Sequence, residues 1–149
     1  MKILVMGLAG SGKTTLAKKL AEKLDADYFN ADEVRKLFND WDFSPSARNR
    51  QAKRMADLAD IGDRYYVIAD FICPTKKTRE LYSPDYVVWM NTITESNSAN
   101  GPAAPGSTFK QTDKMFEPPE KVDIIVTEKD VDKWLDIVYN DIIEVMPRF

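Results

Sequence analysis

The 149-residue chain contains no histidine and a single cysteine, Cys73. The first absence excludes imidazole acid-base chemistry and mixed Cys/His zinc sites, and the second excludes an internal disulfide and any all-thiolate metal centre. Long hydrophobic runs are missing as well. Runs such as those at 65–69 and 122–126, the second broken by Asp123, fall far below the roughly 18 apolar residues of a membrane-spanning helix, so no membrane contact is expected. A net charge of -3 supplies no global attraction to nucleic acid, which is not expected as a partner. No leader-like basic start precedes the first apolar run, and the expected location is the cytoplasm. No internal repeat is visible, and the length suits one domain over 1–149 with a single core.

What is present is ordinary for a globular chain, with 44% apolar and 30% charged residues. Strand-like segments rich in β-branched and aromatic residues fall at 2–6, 27–29, 65–72, 86–90 and 122–126. They alternate with helix-like segments at 13–24, 31–38, 46–61, 76–82 and 130–145. That alternation predicts an α/β fold in which helices cover both faces of a mainly parallel, five-stranded sheet. In the last helix Val131, Trp134, Leu135, Val138 and Ile142 recur every three or four residues, a face that packs on the sheet. Residues 96–107 are rich in Ser, Asn, Ala, Pro and Gly without a hydrophobic period. They read either as a flexible, lid-like loop at about 95–112 or as an unstructured insertion.

Between the first strand and the first helix, Gly7-Leu8-Ala9-Gly10-Ser11-Gly12-Lys13-Thr14 fits G-x-x-x-x-G-K-[ST] without a mismatch. In this motif the glycines let successive backbone N–H groups turn toward phosphate oxygens, at the positive end of the following helix. Ala9, Gly10, Ser11, Gly12, Lys13 and Thr14 are therefore the expected phosphate site for ATP. Lys13 reaches the terminal phosphates, the Thr14 hydroxyl meets a Mg2+ ion, and Thr15 is a further phosphate contact. The expected architecture is thus the three-layer sandwich of P-loop NTPases. The motif alone does not separate a kinase from other nucleotide-binding chains.

After the second strand, Asp32 and Arg35 stand three residues apart at the sheet edge where α/β proteins bind ligands. Asp32 is placed to take a proton from a substrate hydroxyl or to hold a water of the Mg2+ shell, and Arg35 to grip an anion. The bland alternative is an acidic helix start with an exposed arginine one turn on. Arg48, Arg50, Lys53 and Arg54 form a basic cluster on a helix, either a solvated face or one with two of the four on an anion. Asp70 is a secondary candidate for the Mg2+ side, or a strand-end cap of the next turn.

Taken in order, four blocks resemble the adenylylsulfate kinase family: the phosphate loop, Asn30-Ala31-Asp32-Glu33-Val34-Arg35, Phe43-Ser44 with Arg48, and Phe71-Ile72-Cys73-Pro74. The family counterparts read GLSGSGKST, D-G-D-N-V-R, G-F-S-x-x-D-R-x-E-N and F-I-S-P. The resemblance runs from residue 2 to about 90 and resumes at 113–120, which is similar to D-x-P-Y-E-x-P-E. It implies transfer of the ATP γ-phosphoryl group to the 3'-hydroxyl of adenylylsulfate, with Asp32 as base or Mg2+-side carboxylate. It implies that Arg35 and Arg48 hold the phosphosulfate, that Phe43 and Phe109 stack on the adenine, and that Gln51, Ile72 and Cys73 complete the substrate contacts. Because family members often form dimers, it also implies a homodimer.

The chain departs from the family pattern where Asn30 replaces an Asp, Ala47 replaces an Asp, and Arg50-Gln51 replaces Glu-Asn. Cys73 stands in place of a serine, and the family's basic lid segment has no counterpart. Kinases acting on another nucleotide, a polynucleotide 5'-end or a small metabolite are therefore the alternative, with a non-catalytic ATP-binding switch as a reading from another class.

Overall fold

The computed structural model describes residues 1–98, 101–102 and 108–148. In chain order the elements are β1 (Lys2–Met6), α1 (Lys13–Leu24), β2 (Asp27–Asn30), α2 (Ala31–Phe38), α3 (Pro45–Asp60), β3 (Val67–Asp70) and α4 (Lys76–Tyr82). They continue with β4 (Tyr86–Met90), β5 (Asn97–Ser98), β6 (Gly101–Pro102), α5 (Thr108–Met115), β7 (Ile124–Val126) and α6 (Val131–Val145). Five strands form one sheet in the order β2-β3-β1-β4-β7, every pairing parallel, as expected.

Alternation along β1 divides the core. Ile3 and Val5 point to one face and meet Leu16 and Leu20 of α1 and Val138 and Ile142 of α6. Leu4 and Met6 point to the other and meet Val34 of α2 and Met55 of α3. All four β1 side chains are fully buried, which is why the run reads as apolar without a gap. The result is helix, sheet, helix.

Boundaries moved where tertiary partners decide them. The third strand is Val67–Asp70 rather than 65–72, because its neighbour β1 offers only Lys2 to Met6 to pair with, and the register ends at Val5 opposite Asp70. The third helix begins at Pro45, where the missing N–H costs nothing, with Ser44 as its N-cap. Asp130 is the cap of α6 and not its first turn. In the segment expected as a loop, Thr108–Met115 is helical and Asn97–Ser98 pairs with Gly101–Pro102. The rest of that segment, 99–100 and 103–107, lies outside the described residues. No helix among the described residues is long and apolar enough to cross a membrane.

The chain leaves β1 toward β2 on one side, returns to β3, then crosses to β4 on the other side of β1. The connections therefore diverge at the C-terminal ends of β1 and β3. Such a switch point leaves an open crevice, and here the phosphate-loop motif lies in it.

Candidate functional site

The loop from Gly7 to Gly12 is held by its own backbone and by a strap crossing it. Ser11 N–H donates to the Leu8 carbonyl at 3.1 Å, and the Lys13 ammonium folds back onto the same carbonyl at 2.9 Å. Lys13 is buried, and burial lowers its pKa, partly offset by the charges of Asp70 and Asp32. Gly7 needs its lack of a side chain, since a Cβ there would stand 2.7 Å from the Met90 carbonyl. Gly10 has φ +86, and a Cβ on it would run into the backbone oxygen of Asn97 at 2.5 Å. Residues 91–98 thus lie directly on the loop: the Thr92 hydroxyl donates to the Ser11 carbonyl at 2.7 Å, and Asn97 N–H to the Ala9 carbonyl at 2.9 Å.

Beside the loop stands Asp70, 1% exposed at the end of β3. Its Oδ2 accepts from the Thr14 hydroxyl at 2.7 Å, the Tyr28 hydroxyl at 2.7 Å and the Asn30 amide at 3.1 Å. The sequence suggested a turn cap as its alternative role; the structure instead puts it on the hydroxyl of the motif threonine. The Tyr28 hydroxyl, desolvated and next to this carboxylate, is pushed well above its ordinary pKa and stays a donor.

A cavity of about 550 Å³ opens from the loop toward α2 and α3. Ala9, Gly10, Lys13 and Thr14 line its end at the loop. Asp32, Arg35, Phe43, Arg48, Gln51, Ile72, Cys73 and Phe109, all expected on the acceptor side, line the remainder. Asn30, Asp70, Phe71 and Thr78 also face it and were not assigned an acceptor contact from the sequence. Ser11 is instead buried beneath the loop, while Gly12 and Thr15 line a second cavity of about 190 Å³.

The two arginines of the larger cavity lack carboxylate partners among the described residues. Arg35, 3% exposed, donates to the backbone carbonyls of Asp40 and Asp42 at 3.2 and 2.9 Å. Arg48, 7% exposed, donates to the Phe43 carbonyl and the Thr112 hydroxyl. Their guanidiniums lie 4.4 and 5.3 Å from the centre of the Phe43 ring. Burial, and then repulsion from Arg35, lowers the pKa of Arg48 to about 10. Arg35 is lowered by burial too, partly offset by the charges of Asp40 and Asp32, and two desolvated guanidiniums side by side form a ready receptor for an anion. Gln51 lines the same cavity, but its carboxamide is spent, donating to the Ala31 carbonyl at 3.0 Å and accepting from Arg54 at 3.4 Å.

The basic helix cluster divides. Arg48 faces the cavity, whereas Arg50 and Arg54 meet Asp40 at 2.9 and 2.7 Å, and Lys53 pairs with Asp57 at 3.6 Å. The anion that two of the four touch is thus a carboxylate of the chain, which staples the loop carrying Phe43. Hydrogen bonding from Arg54, with smaller help from the Asp42 backbone and Arg50, lowers the Asp40 pKa from 3.8 to about 2. A depressed carboxylate stabilises the fold above its unfolded pKa and loses that contribution as pH falls through its folded one. The stability gap between wild type and D40N is therefore expected to be constant above about pH 5 and to shrink between about pH 4 and 2. Urea denaturation at pH 6 and pH 2.5 measures it, and a gap independent of pH would remove the staple.

Residues 113–120 fasten α5 in place. Ser96 donates to Asp113 through its N–H at 2.8 Å and through its hydroxyl, Phe116 stacks on Trp89 with ring centres 6.5 Å apart, and Glu117 N–H donates to the Pro74 carbonyl at 2.7 Å. Thr112, the neighbour of Asp113, receives Arg48. The second cavity lies between the start of α1, the ends of β4 and β7, and residues 128–134. Trp134 lines it, and its buried indole N–H has no partner among the described residues. No sequence signal marked this cavity, because its walls come from three distant segments.

A family model described as an AAA domain matches residues 3–83, more than half of the chain and the whole run from β1 to the end of α4. The chain belongs to the AAA domain family. No curated protein matches this AAA domain chain. Among solved structures, it is similar to the APS kinase CysC of Mycobacterium tuberculosis in complex with AMPPNP and APS, with TM-score 0.71 and 19% identity over 95% of this chain and 96% of that one. It is also similar to shikimate kinase from Aquifex aeolicus, with TM-score 0.66 and 17% identity over 99% of both chains. A gluconokinase from Sinorhizobium meliloti gives TM-score 0.67 and 15% identity over 97% of this chain and 92% of that one. The AAA domain thus has a P-loop kinase-like fold, shared by kinases with different acceptors.

Proposed function

We propose that the protein is an ATP- and Mg2+-dependent kinase that phosphorylates a hydroxyl of a small anionic acceptor. The observation that carries this is the pair of buried guanidiniums, Arg35 and Arg48, facing the same cavity as Lys13, Thr14 and Asp32. A protein that only held ATP would gain nothing from two desolvated guanidiniums, neither in an ion pair among the described residues, beyond the phosphate loop.

In this reading Lys13 and the loop amides hold the β- and γ-phosphates, and Asp32 orients the attacking hydroxyl. Thr14 and Asp70 fit a magnesium site: both offer oxygen, and Oδ1 of Asp70 accepts no hydrogen bond among the described residues. No cluster of three metal-ligating side chains occurs among those residues, so the ion would arrive with the nucleotide, as Mg2+ commonly does. Mg2+ would supply charge neutralisation on the phosphates. The smaller cavity would seat the base, with the Trp134 N–H as a donor to it.

For the acceptor we infer adenylylsulfate. Phe43 and Phe109 give the cavity two aromatic walls for a purine, and two guanidiniums suit a mixed anhydride with two acidic groups. A carboxylate-bearing hydroxy acid is the second reading, favoured by the Gln51 carboxamide being already spent on the backbone. The test is ADP release from ATP and Mg2+ with adenylylsulfate, set against shikimate, gluconate, nucleosides, a 5'-hydroxyl oligonucleotide and no acceptor. Release with adenylylsulfate alone supports the first reading. Release with another acceptor assigns that one, and release with none overturns the kinase.

A further inference from the structure

We propose that Asp113 is a positioning residue for nucleotide binding: through Ser96 it seats the strap that holds the phosphate loop in shape, although its carboxylate makes no hydrogen bond to that loop among the described residues. This rests on the ATP reading above.

A loop that turns successive N–H groups inward turns the matching carbonyls outward, and each of those needs a donor. The Leu8 carbonyl takes the Ser11 N–H and the Lys13 ammonium. The other two donors come from the strap: the Asn97 N–H reaches the Ala9 carbonyl at 2.9 Å, and the Thr92 hydroxyl reaches the Ser11 carbonyl at 2.7 Å. Lys13 must leave the Leu8 carbonyl to reach a phosphate. From then on the loop depends more heavily on the strap, which lies so close that position 10 has no space for a Cβ.

The strap does not hold itself. Asn97–Ser98 pairs with Gly101–Pro102 in a two-stranded sheet separate from the main one, and a two-stranded ribbon alone is marginal. It is tied to the body of the protein through Ser96, 1% exposed, whose N–H donates to Oδ2 of Asp113 at 2.8 Å and whose hydroxyl donates to Oδ1. One carboxylate thus takes one residue at two points, a charge-assisted grip that fixes direction as well as distance. Asp113 can bear this because α5 is anchored on both sides of it: Thr112 receives Arg48, and Phe116 stacks on Trp89 of β4. The exposed pair Lys110 and Glu95, 3.9 Å apart, adds little.

The probe is AMPPNP with Mg2+, titrated calorimetrically against wild type, D113A, D113N, S96A and V138A, with thermal midpoints and with hydrogen exchange at the Asn97 amide in the unliganded protein. No acceptor is required. D113A is expected to weaken AMPPNP binding about 3–10-fold, because the loop must then be ordered at the moment of binding, and to speed exchange at Asn97. D113N is expected back within about 3-fold of wild type, since a carboxamide can accept from the Ser96 N–H and donate to its hydroxyl oxygen. V138A, a hole in the core under α6, lowers stability without touching the strap and is expected to bind within about 2-fold of wild type. Should D113A fail to fold, S96A, which keeps the Ser96 N–H bond, carries the test with an expected loss of about 3-fold. AMPPNP affinity within about 2-fold of wild type in both folded D113A and S96A, or a loss in V138A as large as theirs, would overturn the proposal. Wild-type protein unable to bind AMPPNP would sink the ATP reading itself, and this inference with it.

Discussion

Replacing Asp32 with asparagine is expected to lower kcat by about 10²–10⁴-fold, the usual span for losing a positioned general base, while leaving the affinity for ATP nearly unchanged. The two effects separate because Asp32 is exposed at the edge of the large cavity, the second residue of α2 after the Asn30 cap, and makes no hydrogen bond to the phosphate loop among the described residues. The substitution keeps the side chain's size, so α2 and its Arg35 stay in place. Single-turnover phosphoryl transfer and equilibrium nucleotide binding measure the two quantities on the same sample. A kcat within about threefold of wild type would remove Asp32 from the chemistry.

Replacing Arg48 with methionine is expected to raise the acceptor KM by about 10–150-fold, the equivalent of one charge-assisted hydrogen bond of about 1.5–3 kcal/mol. The apo protein should not lose stability. Arg48 donates to the Phe43 carbonyl and to Thr112, and losing two such charge-assisted bonds costs about 1.5–3 kcal/mol each. Against this, a guanidinium buried beside Arg35 with no carboxylate partner among the described residues carries a desolvation penalty of several kcal/mol, which a methionine removes. The two quantities are of similar size, so the thermal midpoint should hold. A midpoint that falls together with acceptor affinity would make Arg48 a structural residue. The opposition follows from how a receptor for anions is built: cations left unpaired in the empty site cost stability and are satisfied only by the ligand.

Much of the fold could be read along the chain because its signals are local. Lys2 to Met6 is a short apolar run, Gly7 to Thr14 has fixed spacing, and the two together define a strand, a loop and a helix start. The positions expected on the acceptor side line one cavity; they follow one another in the order of a recognisable pattern, and their meeting required only that the sheet be parallel. The place of Asp70 is not legible locally, for a different reason. Its contact with Thr14 depends on β3 inserting between β2 and β1, a long-range fact with no local signature. Arg50 and Arg54 could be placed on one helix side but not opposite Asp40, which reaches them from the preceding loop. The helix Thr108–Met115 was hidden by its polar composition beside a stretch rich in Pro and Gly; its anchors are Asp113 to Ser96 and Phe116 to Trp89, both tertiary.

The single thiol gives the molecule an internal clock. Cys73 is fully buried with φ +49, its Sγ donates to the Thr78 hydroxyl at 3.6 Å, and burial raises its pKa to about 12. At neutral pH almost none of it is thiolate, and thiolate is the reactive form. An alkylating reagent therefore marks a chain only while the end of β3 and the start of α4 are apart. With no second cysteine to compete, the rate of mass gain under native conditions reports how often this edge of the cavity opens. A ligand seated against Cys73 would slow that rate in proportion to its hold on the closed form, so occupancy can be timed without turnover.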